Sequence, residues 1–332
     1  MFSLPANIRA GKIAHGLIGL AISVALIVGL LSFVNLDDFH RILGQTDWLF
    51  VVSAAFIYFL TYVIRSYRFA LILNDRSIVF FDHLMIVSIH TFFNHILPFR
   101  SGELSYIYLR KKYHGLSYGS ATSSLFSARL FDVISLFAIV CMLGMFSLNE
   151  RLLNQSLVIS ILIILLVIIL FFALIQKMVH KWLEDHSGEN YLPETLLNRV
   201  SGFFALVFRD MYSLLTGSRF LLLLFVSLVN WASVFTYFYL LFCGFKSALT
   251  FRQTLIPSLG AILGNLLPVN GLGSLGTFEA GMSAGQTFSG VDLTTSATIS
   301  FLIHFHAIVI GAMYAVFFLL INFFLKKSNK DI

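Results

Sequence analysis

Charged side chains follow a proline inside an apolar stretch of the chain. Residues 94–103 read Asn-His-Ile-Leu-Pro-Phe-Arg-Ser-Gly-Glu, so Arg100 and Glu103 stand just after Pro98, whose ring cannot continue a helix. A guanidinium can hold phosphate through two parallel hydrogen bonds, and a helix N-terminus adds positive potential. The stretch predicts an anion site suited to a phosphate-bearing headgroup. An ordinary capping carboxylate beside an arginine at the cytoplasmic face would explain the same residues.

A second break of the same kind occurs at residues 265–273, where Pro268 is followed by glycines. Glu279 lies a few residues beyond it among apolar neighbours, and it is a candidate site residue or a cap of the helix that starts there. Asn94 and Asn265 open the two breaks and are included in the predicted site. We expect the two breaks to face each other and form one site.

Two charges also lie deep in a predicted membrane span. Arg129 and Asp132 are three residues apart on one helical face, where a charge costs at least about 2.5 kcal/mol unless it is paired or hydrated. A structural ion pair between helices and an anion site or gate are both open interpretations. Arg65, near a span end, joins the candidate site, whereas Arg68 is expected to snorkel to the interface.

The histidines do not form a recognisable metal motif. His304 and His306 are two apart and point to different faces of a helix, and no Cys/His cluster has zinc spacing, so neither a metal nor a cofactor is predicted. His90 joins the candidate site. Protonation of His90 or His95 in a proton-coupled step is one interpretation, and a hydrogen-bonded histidine in a polar cavity is the other. Ser101 has no identifiable base and is not a convincing nucleophile.

Composition places these residues in a membrane. Hydrophobic residues make up 58% of the 332 residues and charged residues 11%, against about 25% charged in soluble domains. The net charge of +6 comes from lysines and arginines beside apolar segments, so anionic headgroups, rather than nucleic acid, are the expected partners. We predict one transmembrane domain over 1–332.

The order of apolar segments predicts an all-α polytopic membrane protein. Its six full spans are expected at about 13–34, 48–73, 120–146, 155–175, 220–243 and 294–325. Segments 81–97 and 251–267 are shorter and end at Leu-Pro. Basic residues flank the first on both sides, which predicts a re-entrant helical hairpin. Counting crossings back from the basic C-terminus gives the second hairpin the opposite orientation.

These elements form an inverted repeat, with units at about 48–146 and 220–325. Both termini are expected to be cytoplasmic, in the cytoplasmic (inner) membrane of a cell. Between the repeats, apolar residues recur at helical spacing over about 194–216, which predicts a cytoplasmic amphipathic helix lying on the membrane surface.

The two breaks carry a resemblance to a known family. The sequence of residues 97–104, together with Asn94, Gly115-Leu116-Ser117 and Arg129-Leu130-Phe131-Asp132, resembles the transmembrane region of lysylphosphatidylglycerol synthases and its flippase-like (UPF0104-type) relatives. Residues 273–280, Gly-Ser-Leu-Gly-Thr-Phe-Glu-Ala, are similar to the family's second motif. Tyr106 stands where relatives often have an arginine, and Ser274 replaces a glycine, so headgroup preference is expected to differ.

The resemblance implies the translocating half of such proteins and not lipid synthesis, because no soluble aminoacyltransferase domain follows the last span. The first hypothesis is a flippase-like transporter that moves an anionic phospholipid, glycolipid or polyprenyl-phosphate-linked lipid between leaflets. Arg100 and Arg129 would hold phosphate, and Glu103 and Glu279 would pair with them or carry a coupling proton. The alternatives are a membrane enzyme acting on a lipid phosphate or polyprenyl-linked sugar, and a non-catalytic partner of a lipid-synthesis enzyme.

Overall fold

A computed structural model describes residues 36–75, 77–97, 101–146, 166, 207, 209–215, 217–266 and 275–328. Throughout this part of the chain the regular secondary structure is helical, as the sequence predicts. The helices are α1 (Leu36–Gly44), α2 (Trp48–Leu73), α3 (Phe80–Ile96), α4 (Glu103–His114), α5 (Tyr118–Phe146), α6 (Phe220–Gly244), α7 (Phe251–Leu266), α8 (Thr277–Phe288) and α9 (Leu293–Ser328).

Four of these helices are long and apolar enough to cross a bilayer. They are α2, α6, the Tyr118–Val140 part of α5 and the Leu293–Leu325 part of α9. The shortest has 23 residues, which is about 35 Å of helix against about 30 Å of hydrocarbon. They match four predicted spans. The other two, 13–34 and 155–175, lie outside the described residues except for Leu166.

The last helix exposes large apolar side chains and buries polar ones. Among its apolar side chains that are more than half exposed are Phe305, Met313, Phe317 and Phe323. On the same helix Ser296, Ser300 and His304 are fully buried. This distribution is the one expected of a membrane helix, because lipid accepts apolar side chains while polar groups must find partners in the protein.

Besides the nine-residue α1, four helices are too short to cross a bilayer alone. α3 has 17 residues, α7 has 16, and α4 and α8 have 12 each, which gives lengths of about 18–26 Å. They occur in two consecutive pairs, and each pair follows one long helix and precedes another. The order long, short, short, long therefore occurs twice along the chain.

Glycines bring α7 and α8 into backbone contact. Gly260 and Gly264 of α7 are four residues apart, as are Gly281 and Gly285 of α8. A methyl group added to Gly260 would overlap the carbonyl oxygen of Gly281, and the reverse is also true. A methyl group on Gly285 would overlap the backbone of Pro257. Small residues at this spacing let membrane helices approach closely, which places α8 firmly against α7.

The described chain divides into two compact units. One comprises the described residues within 1–59, 88–105 and 234–332, and we call it the break unit because the described residues next to both breaks, 97, 101–102, 266 and 275–276, belong to it. The other comprises the described residues within 60–87 and 106–233, and we call it the arginine unit because Arg65, Arg68 and Arg129 belong to it.

Part of the predicted amphipathic segment packs inside the arginine unit. Of residues 194–216 the structure describes 207 and 209–215. Val207 and Met211 are buried and pack with Leu130 of α5, and Ile134 and Leu215 complete the cluster. The apolar face of this part therefore contacts a membrane-spanning helix, and the remainder of the segment lies outside the described residues.

We expect Gly260→Val and Gly281→Val to destabilise the protein by at least about 1–3 kcal/mol each, because the added side chain must push α7 and α8 apart. Thermal unfolding in detergent measures this loss. Gly44→Ala is the matched control, since a methyl group there meets nothing within 4 Å. Parent-like unfolding of both valine variants would contradict the tight packing.

Candidate functional site

Glu279 lies at the start of α8 and makes two short contacts. Its Oε2 accepts the backbone N–H of Gly276 at 2.7 Å, so it caps α8, which was one of the two sequence interpretations. Its Oε1 lies 2.6 Å from Nδ1 of His304 in α9. The side chains of Glu279 and His304 are fully buried. Glu279 therefore caps α8 and also contacts a buried imidazole.

The second ring nitrogen of His304, Nε2, is not hydrogen-bonded in the described part of the chain. Phe278 stacks on the imidazole with ring centroids 4.3 Å apart. Buried polar atoms without partners are uncommon in native proteins and mark strain or function. The Glu279–His304 pair thus has one buried nitrogen without a hydrogen bond among the described residues, beside the ring of Phe278.

His95 brings the first break close to this pair. It lies near the end of α3, with its ring centroid 6.4 Å from that of His304. The hydroxyl of Tyr58 is 2.8 Å from His95 Nε2. Within the break unit, the end of α3 and the start of α8 therefore meet around His304 of α9.

An aromatic layer continues from Tyr58. Its ring stacks on Tyr237 of α6 with centroids 4.6 Å apart, and the Tyr237 hydroxyl lies 3.0 Å from Nδ1 of His306. The hydroxyl groups of Tyr58 and Tyr237 and the imidazole of His306 therefore lie close together among the helices.

His90 and Asn94 hold the first break together. His90 Nδ1 is 3.2 Å from the carbonyl oxygen of Gly102, and Asn94 Nδ2 is 3.2 Å from His90 Nε2. A methyl group on Gly102 would overlap the backbone of Asn94. These two predicted site residues therefore position the chain where α3 ends.

The remaining predicted residues of the breaks are placed as follows. Glu103 is half-buried in the first turn of α4, and Asn265 is half-buried near the end of α7. Arg100 lies outside the described residues, as do Pro98 and Pro268.

In the arginine unit, Asp132 is held by two arginines. Arg68 contacts both carboxylate oxygens, with Nη1–Oδ1 at 2.6 Å and Nη2–Oδ2 at 3.3 Å, and it also donates to Ser227 Oγ at 3.2 Å. Arg129 Nη1 lies 3.4 Å from Asp132 Oδ2. Arg65, one turn before Arg68, donates to Asn230 Oδ1 at 3.3 Å. We call Arg65, Arg68, Arg129 and Asp132 the arginine cluster.

The expectation that Arg68 snorkels is wrong. Its side chain is only 3% exposed, because Asp132 offers it a two-pronged ion pair inside the protein. The predicted Arg129–Asp132 contact exists, but it is the longer of the two ion pairs. Arg129 is partly accessible, with 34% of its side chain exposed.

Arg110 is a buried cation, although the sequence shows it only as part of a basic stretch. It is fully buried, donates to His83 Nδ1 at 2.9 Å and lies over the Tyr106 ring at 5.0 Å from the centroid. Tyr106 in turn lies 2.9 Å from Ser124 Oγ. The spacing of four residues between Tyr106 and Arg110 was the available signal, because it puts both on one helix face.

No group of three His, Cys, Asp or Glu side chains suitable for a metal ion was found among the described residues. The partners of His304 and Arg68 were not recognisable from the sequence. Glu279 precedes His304 by 25 residues and Arg68 precedes Asp132 by 64, so the contacts depend on how the helices pack.

The chain matches a protein family. The family model described as the lysylphosphatidylglycerol synthase TM region matches residues 16–315. Comparisons with the curated proteins and with the solved structures gave no significant match. The matched range includes the breaks, the Glu279–His304 pair and the arginine cluster.

We expect Arg68→Met and Asp132→Leu to lower the free energy of unfolding by about 3–5 kcal/mol each, because either change takes from a buried charge its shortest ion pair. The double variant should recover much of this loss, since it removes both charges together. Chemical unfolding in detergent measures all three variants. Asp38→Ala, which breaks the surface pair with Arg41, is the control and should cost no more than about 1 kcal/mol.

Proposed function

The chain belongs to the family of the lysylphosphatidylglycerol synthase transmembrane region, and on that premise we propose that it is a lipid transporter of the cytoplasmic membrane. Its cargo would be an anionic phospholipid, glycolipid or polyprenyl-phosphate-linked lipid that it moves between leaflets. The headgroup would pass through the protein while the acyl or prenyl chains stay in lipid.

The broken helices support transport. We propose that α3–α4 and α7–α8 are re-entrant hairpins of opposite orientation, so that the order long, short, short, long is an inverted repeat among six spans. Irregular backbone at membrane depth is tolerated where it is covered by protein or lines a polar cavity. In many transporters such breaks meet near the bilayer midplane at the substrate site.

The arginine cluster is the observation that best supports an anionic cargo. Three arginines and one aspartate give it a formal charge of +2, and all four residues lie on candidate membrane spans. Asp132 is bound by Arg68 and Arg129. Guanidinium groups hold phosphate through charge-assisted hydrogen bonds. Arg129 keeps 34% of its side chain exposed, enough to receive a phosphate-bearing headgroup.

Arg100 and Glu103 are proposed to act at the first break. By sequence they follow the proline, where a guanidinium and a new helix N-terminus favour phosphate. Both termini are proposed to be cytoplasmic, from the lysines that follow the last span.

We expect Arg129→Ala to slow the movement of a labelled anionic lipid between vesicle leaflets by about one to two orders of magnitude. The physical reason is the loss of a charge-assisted hydrogen bond, worth about 1.5–3 kcal/mol. Arg129→Lys keeps the charge but not the two-pronged geometry, so its rate of lipid movement should lie between those of Arg129→Ala and the parent protein. The measurement is chemical quenching of the outer-leaflet label after reconstitution of the purified protein.

Arg41→Ala is the matched control, because Arg41 is largely exposed on α1 and pairs with Asp38 one turn away. Arg100→Ala tests the prediction for the first break. An Arg129→Ala protein as fast as the parent would remove the cluster from the transport path. A parent protein that leaves the lipid in its leaflet but alters its covalent structure would favour the membrane-enzyme alternative.

A further inference from the structure

The Glu279–His304 pair has a chemical capacity that lipid binding does not require. Glu279 Oε2 accepts from Gly276 at the N-terminus of α8, where the helix dipole favours negative charge. The 2.6 Å contact between Oε1 and His304 Nδ1 requires one proton, which these two atoms share. Nε2 is left either with a lone pair or with a second proton.

These two states differ by one charge in a dry environment. With a lone pair on Nε2 the pair has a net charge of −1, and with a proton there it is neutral. Both side chains are fully buried, and Phe278 covers the imidazole. Net charge in such surroundings is costly. The charge state of the pair is therefore tied to whether water or another charge can reach it, and so to the conformation of the protein.

The groups around the pair are titratable but carry no fixed positive charge. Among the described residues, these groups are His95 of α3, Tyr58 of α2, Tyr237 of α6 and His306 of α9. In the same part of the chain, His304 is the one cation-forming group within ion-pair distance of Glu279. A lysine or arginine there would hold the pair permanently in one state.

We propose that the Glu279–His304 pair binds the proton that couples to lipid movement, with uptake and release at His304 Nε2. A proton from water on one side adds to the Nε2 lone pair, and the same proton leaves to water on the other side, so no other reactant is needed. His95 lies next to His304 and is the neighbouring imidazole on this route. This inference rests on the proposed lipid transport and names its coupling ion.

The test uses vesicles with the membrane potential clamped at zero and a pH difference of one unit. If one proton moves with each lipid, the parent protein should change the distribution of a labelled lipid between the leaflets about tenfold, since one pH unit equals a factor of ten in proton activity. The pH gradient is imposed in both directions. The number of protons per lipid determines how large the lipid ratio becomes, and the direction of coupling determines only which leaflet gains lipid.

His304→Gln and Glu279→Gln should bring the distribution ratio from about ten to about one, whereas Glu279→Asp should retain part of the accumulation. His40→Gln is the control, because His40 is exposed on α1, and it should keep the full ratio. A folded His304→Gln protein that still gives a tenfold ratio overturns the proposal.

A measurement on the parent alone covers the case in which the variants fail to fold. A lipid imbalance imposed across the vesicle membrane should drive protons, because coupling is reciprocal, and a pH-sensitive dye in the lumen detects one proton per lipid moved. Rapid lipid movement without proton flux and without any response to pH overturns the proton coupling but leaves lipid transport standing. The absence of any lipid movement in the parent contradicts the proposed function instead.

Discussion

Polar groups inside an apolar, membrane-spanning chain must find partners in the protein, and this constraint shapes both units. In the break unit Glu279 satisfies an N-terminal N–H of α8 and contacts His304 of α9. In the arginine unit Asp132 binds Arg68 of α2 and Arg129 of its own helix. Unpaired, each of these groups would cost several kcal/mol at such depth. Each pair therefore also determines which helices must lie together.

The same constraint explains the glycines of α7 and α8. The two short helices come within backbone contact at Gly260 and Gly281, where any side chain would collide. Lipid gives no hydrophobic driving force for helix association, so close packing takes its place. The tight pair fixes the start of α8, and with it the position of Glu279.

The proposed function uses groups that remain available inside the protein. His304 Nε2 has no hydrogen-bond partner in the described residues, and it is the atom at which the proposed coupling binds a proton. Arg129 keeps 34% of its side chain exposed beside Asp132, and it is the group to which the proposed anionic headgroup would bind. A transporter needs such groups, because they must take a ligand in one state and lose it in the next.

Composition and spacing alone determined the helical class, the four described spans, the two short apolar segments and the family, because these depend on local hydrophobicity, proline breaks and short motifs. They also identified Glu279, Arg129 and Asp132 as charges that need an explanation. Only the tertiary structure decided their partners. Arg68 looked like an interfacial residue and His304 like a lone histidine, since a partner 64 or 25 residues away leaves no periodic trace in the sequence. Helix packing, which brings distant residues within 3 Å of each other, was the missing information.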